Sequence, residues 1–114
     1  MFKLKSELVK TTVSNLRGGT GDIIREDFFT EGEMLGKVRL CATFTFPPGS
    51  TIGEHNNGPA AEIYCIISGS LQVTDDGVTK KLGPGDVMFT GGGKNHSFAN
   101  ESDKDVVLLA IIVN

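Results

Sequence analysis

Lys37-Val38-Arg39-Leu40-Cys41-Ala42-Thr43-Phe44-Thr45-Phe46 decides the fold, because it keeps a strict period of two over ten residues. Val38, Leu40, Ala42, Phe44 and Phe46 fall on one face of an extended chain, and Lys37, Arg39, Cys41, Thr43 and Thr45 on the other. This is a strand with one buried face. Pro47-Pro48-Gly49 ends it, since proline has no N–H to give a ladder. Working outward, short apolar or alternating runs predict further strands at 22–29, 51–55, 62–67, 70–74, 78–82, 86–90, 96–100 and 105–113. Asp75-Asp76-Gly77 is a hairpin turn signal, and Gly83-Pro84-Gly85 marks another turn. Residues 1–19 are a mixed leader: Phe2 and Leu4 alternate, whereas Leu4 and Leu8 have helical spacing. No helical pattern of useful length follows residue 20, and no internal repeat is visible. About nine closely spaced strands imply an all-β sandwich or barrel.

Composition agrees. The chain has 114 residues, the length of one domain, so 1–114 is read as a leader (1–19) followed by a barrel (about 20–113). Hydrophobic residues are 39% and charged residues 22%, ordinary globular usage, which excludes disorder as the main state. Fifteen glycines, nearly twice the usual ~7% share, suit a fold made mostly of tight turns. The net charge is −3; Lys3, Lys5, Lys10 and Arg17 against Glu7 leave the first 17 residues basic, but no basic stripe follows. Nucleic acid is not an expected partner. No stretch fits a signal peptide, and the longest apolar run, 106–113, is far below the ~18 residues of a membrane span, so a cytoplasmic location without membrane association is expected. Cys41 and Cys65 lack CxxC spacing and read as small core residues in a reducing compartment. Residues 63–67 and 106–113 are nearly all apolar, so both faces of those strands need cover. Either the leader or a second copy supplies it, and a homodimer is expected.

Only two histidines are present, His55 and His96, each in a glycine-rich segment beside a turn. Gly49-Ser50-Thr51-Ile52-Gly53-Glu54-His55-Asn56-Asn57-Gly58-Pro59-Ala60-Ala61-Glu62, with Gly69 seven residues on, resembles the first cupin motif. Gly85-Asp86-Val87-Met88-Phe89-Thr90-Gly91-Gly92-Gly93-Lys94-Asn95-His96-Ser97-Phe98-Ala99-Asn100 resembles the second. Two positions depart from the pattern. Asn57 stands where a second histidine is usual, and Gly91 where a proline is usual; the latter change is expected only to loosen a turn. The resemblance covers roughly residues 20–113 and implies a small cupin jelly-roll barrel. It also implies a divalent metal ion (manganese, iron, nickel or zinc) held at His55, Asn57, Glu62 and His96.

The residue types make chemical sense alone. His55 and Asn57, two apart, point the same way in an extended segment, while Glu62 and His96 each open a later strand. Two imidazoles and a carboxylate form a donor set with open positions for a ligand. An Asn57 carbonyl is a weaker, harder fourth donor; Asn56-Asn57-Gly58-Pro59 is equally ordinary turn chemistry. Parity nominates a lumen wall: Tyr64 and Ile66 with Glu62, Phe98 and Asn100 with His96, and Phe44 from the alternating strand. A buried Tyr64 phenol needs a hydrogen-bond partner, either Glu62 or a ligand. Gly91-Gly92-Gly93-Lys94 lacks the remaining P-loop positions, and no Ser, Cys or Thr sits in a nucleophile motif. The expected function is a metal-dependent cupin enzyme acting on a small sugar or carboxylic acid. The alternative is a non-catalytic cupin that binds such a molecule.

Overall fold

The computed structural model describes residues 1–114 as ten strands in two antiparallel sheets. The strands are β1 (Val9–Ser14), β2 (Asp22–Asp27), β3 (Val38–Phe46), β4 (Thr51–His55), β5 (Ala61–Ser68), β6 (Leu71–Asp75), β7 (Val78–Leu82), β8 (Val87–Gly91), β9 (His96–Ala99) and β10 (Val106–Val113). One sheet runs β1-β2-β3-β10-β5-β8 and the other β4-β9-β6-β7. This is an all-β jelly roll. No helix is long and apolar enough to cross a membrane.

The alternation of β3 does what its period requires. Leu40, Ala42, Phe44 and Phe46 are buried between the sheets, while Cys41, Thr43 and Thr45 lie on the outer face. They join Ile23, Ile66, Val106, Leu108 and Ala110 on the same sheet, and Ile52, Leu71, Val73 and Phe98 opposite, in one cluster of 14 buried residues. Complete burial of side chains such as Phe46 and Ile23 stabilises by about 1.5–3 kcal/mol each.

The leader is mostly a strand. β1 pairs with β2 at the outer edge of the six-stranded sheet, and five of its six residues are exposed. With both faces wet, it had no apolar period to display. Short 3-10 turns flank it at Lys5–Glu7 and Leu16–Gly18. Because β1 lies in the same sheet, with β2 and β3 between it and both β10 and β5, it covers neither apolar strand. On the outer face Ile63, Ile67, Val87 and Phe89 are between 44% and 70% exposed.

Two close backbone approaches shape the barrel's ends. The turn at Leu16–Gly18 lies directly on β4, where a Cβ on Gly53 would stand 2.1 Å from the Arg17 carbonyl oxygen. A Cβ on Gly19 would stand 2.2 Å from that of Thr51. Gly91 has φ 157° and pairs with Ala61, and a Cβ there would meet the Ala60 carbonyl at 2.6 Å. The expected loosening of a turn at Gly91 is therefore a contact between two strands that proline, with φ near −65°, has no way to make.

Candidate metal centre

His55 reaches the lumen through a bulge. Thr51 lies opposite Ala99 and Ile52 opposite Phe98, but His55 lies opposite His96, so β4 carries one extra residue between Ile52 and His55. In an unbroken strand Glu54 would follow Ile52 inward. The bulge gives that orientation to His55 and leaves Glu54 exposed. Across the ladder His96 is fully buried, its ring centroid 4.4 Å from that of His55. Glu62, 1% exposed, enters from β5, which is flanked by β10 and β8.

One donor atom from each of His55, Glu62 and His96 lies within 4.8 Å of the other two. The surroundings fit a cation. The Nδ1–H of His55 donates to the Gly53 carbonyl at 2.7 Å, which turns the Nε2 lone pair toward the cluster. His96 Nδ1 faces the Lys94 carbonyl at 3.4 Å. His96 Nε2 is buried with no hydrogen-bond partner, 3.3 Å from Glu62 Oε1. An orphaned buried nitrogen beside a buried carboxylate is costly for a protein and normal for a ligand set. Burial, aided by repulsion from His96 and Arg17, holds the His55 imidazole below its ordinary value. The neutral form is the one that ligates metals.

Asn57 faces the cluster with its amide nitrogen. Arg17 can only donate, and its Nη2 contacts Asn57 Oδ1 at 2.9 Å. Glu62 Oε1, which also accepts from Tyr64, receives Asn57 Nδ2–H at 2.7 Å. Both neighbours thus demand the same orientation of the amide. Tyr64 donates its hydroxyl to the same Oε1 at 2.6 Å. Burial, reinforced by that hydrogen bond, pushes the Tyr64 hydroxyl far above its ordinary range, so it stays a donor.

A cavity of about 350 Å³ opens over the cluster, and Phe44, Tyr64 and Phe98 are on its wall with His55 and Asn57. Ile66 is in the core. Asn100 is elsewhere: its Nδ2 donates to the Phe46 and Lys104 carbonyls and its Oδ1 accepts from Ser102, which locks the loop before β10. Sequence reading missed Arg17, Arg25 and Arg39, which also line the cavity. Arg39 occupies the polar parity of β3. It is the extra residue of a bulge opposite Ile112 and Val113, which no local pattern announces.

A two-sheet jelly roll with a His-Glu-His cluster in its lumen defines a cupin. The cupin domain model matches residues 42–112, and the chain belongs to that family. It is 36% identical over 113 residues to the oxalate-binding protein of Thermotoga maritima, which spans 99% of this chain and 93% of that protein. It also resembles a crystal structure described as a predicted oxalate decarboxylase from Thermotoga maritima. The TM-score is 0.94 and the identity 35%, over 99% of this chain and 98% of that one. An RmlC-like cupin from Shewanella frigidimarina shares the fold, with a TM-score of 0.78 at 16% identity, covering 98% and 88% of the two chains.

Proposed function

We propose that the chain is a one-domain, cytoplasmic, homodimeric cupin that holds a divalent cation at His55, Glu62 and His96 and acts on a small carboxylic acid or sugar in its lumen. The observation that carries this reading is the orphaned, fully buried Nε2 of His96 beside Glu62. Manganese, iron, nickel and zinc all suit two imidazoles and a carboxylate. When bound, the cation supplies a Lewis acid to a ligand oxygen. The chain's own residues do the rest. Asn57 and Tyr64 hold the Glu62 carboxylate in place, while Phe44 and Phe98 keep the wall apolar. Ligation through Asn57 Oδ1 would break its bond to Arg17, so Asn57 acts here as a support for Glu62. Free Cys41 and Cys65 suit a reducing compartment.

Elemental analysis of purified protein, followed by titration of chelator-treated protein with Mn²⁺, Ni²⁺ and Zn²⁺, tests the cation. His96→Ala is expected to lose metal retention while keeping the β-rich circular dichroism spectrum, because the apolar core does not include His96. Wild type that takes up no ion refutes the reading.

The relative's name favours the alternative of a binding protein, and the description of the similar structure favours a decarboxylase. Incubating metal-loaded protein with oxalate separates them. Formate and CO₂ released in equal amounts denote an enzyme, and tight binding without loss of oxalate denotes a binding protein.

A further inference from the structure

The chain contains three arginines, Arg17, Arg25 and Arg39, and all three line the cavity over the metal centre. None of its eight lysines does, nor any aspartate or glutamate. The arginines come from separate places, the turn at Leu16–Gly18, β2 and β3, in a molecule whose net charge is −3. Their convergence is therefore a product of the fold and not of a local basic run. Each uses one N–H on the protein: Arg17 Nη2 on Asn57 at 2.9 Å, Arg25 Nε on Asp27 at 2.8 Å and Arg39 Nε on Asn114 at 3.0 Å. The Nη groups of Arg25 and Arg39 donate to no protein atom. A guanidinium carries five N–H donors in a planar fork that matches a carboxylate edge, which a lysine ammonium does not. Arg25 is already ion-paired with Asp27, but Arg17 and Arg39 have no carboxylate partner, and such like charges at one cavity repel unless an anion joins them.

We propose that Arg17, Arg25 and Arg39 form a carboxylate-binding rim, so that the ligand is a small dicarboxylate with one carboxylate at the metal centre and the other on the arginines. This rests on the metal-centre reading above and adds the residues that select the second charge. Arg17 is the pivotal member. Its turn is pressed onto β4 without room for a Cβ at Gly53, so its backbone is held at the mouth. Through Asn57 it is also one hydrogen-bonded residue from Glu62.

Calorimetric titration with succinate and butyrate, which share a four-carbon chain and differ by one carboxylate, tests the rim in metal-free and Zn²⁺-loaded protein. Wild type is expected to bind succinate at least tenfold more tightly than butyrate. Arg17→Gln and Arg39→Gln should each weaken succinate tenfold or more, while butyrate and Zn²⁺ affinities stay within threefold. Arg17→Lys should recover only part of the loss. Lys81→Gln, an equal charge loss on an edge strand of the other sheet, should change nothing beyond twofold. Equal affinity for the two acids, or unchanged succinate binding in both arginine variants, overturns the rim, as does an equal loss in Lys81→Gln. Arginine-dependent succinate binding by wild type that takes no Zn²⁺ upholds the rim and overturns the metal centre. Zn²⁺ uptake without preference for the diacid does the reverse.

Discussion

Glu62 Oε1 is the point at which the site's side chains meet. It accepts from Tyr64 and Asn57, which hold it from two directions, and it stands 3.3 Å from the unpartnered His96 Nε2 in a buried setting. Position 57 already points at this atom, and imidazole is a stronger donor than an amide to first-row divalent ions. Asn57→His is therefore expected to raise Zn²⁺ or Ni²⁺ affinity by about tenfold, on the scale that changes around a metal site reach. Side-by-side titration of chelator-treated wild type and variant measures it, and an unchanged affinity would place residue 57 out of reach of the ion. His55 carries a pH consequence. Its native value is depressed, chiefly by burial, below the ordinary 6.5, so the unfolded chain binds the proton more readily. Stability of the metal-free protein is accordingly full above pH 6.5 and declines as pH falls below it toward the native value. Melting temperatures taken from pH 8 to 5 in chelator should show that decline, and His55→Gln should flatten it.

At the scale of elements, the bulge in β4 and the turn at Leu16–Gly18 operate together. The bulge aims His55 inward, and the turn packs against the same strand through Gly19 and Gly53. Gly53→Ala would set a Cβ 2.1 Å from the Arg17 carbonyl, a backbone atom that no rotamer change can move away. The turn must lift from β4. A loss of about 2–4 kcal/mol is expected, in the upper range for a single overpacking substitution. Denaturant unfolding measures it, and faster hydrogen exchange at the Gly19 amide, which bonds to the Leu16 carbonyl, would localise it. A variant as stable as wild type would mean that the turn is not seated as described.

Across the whole molecule, one outer surface lacks cover. Ile63 and Ile67 on β5 and Val87 and Phe89 on β8 are exposed, and they continue into half-buried Val107, Leu109 and Ile111 on β10. The leader pairs at the opposite end of the sheet, and the homodimer proposed above would seat a second copy on this face. Light scattering should give twice the monomer mass. Phe89→Asp, on the exposed face, should give monomers with the β spectrum intact, whereas a wild-type monomer would exclude the dimer.

Alternation in β3 and turn chemistry at Asp76-Gly77 and Pro84-Gly85 were enough to read an all-β fold from the sequence, and the resemblance of 49–69 and 85–100 to the two cupin motifs pointed to the family. Those signals are local: a period of two and a positive φ act over a few residues. β1 was illegible for the same reason, since an edge strand wet on both faces has no period. The cluster of His55, Glu62 and His96 was legible because the cupin motifs carry those residues, although the bulge that turns His55 inward exists only in its pairing with β9. The amide orientation of Asn57, the contact at Gly91 and the convergence of Arg17, Arg25 and Arg39 were decided by the tertiary structure alone. Each depends on which strands lie side by side and in what register, and register is set by partners distant in the chain.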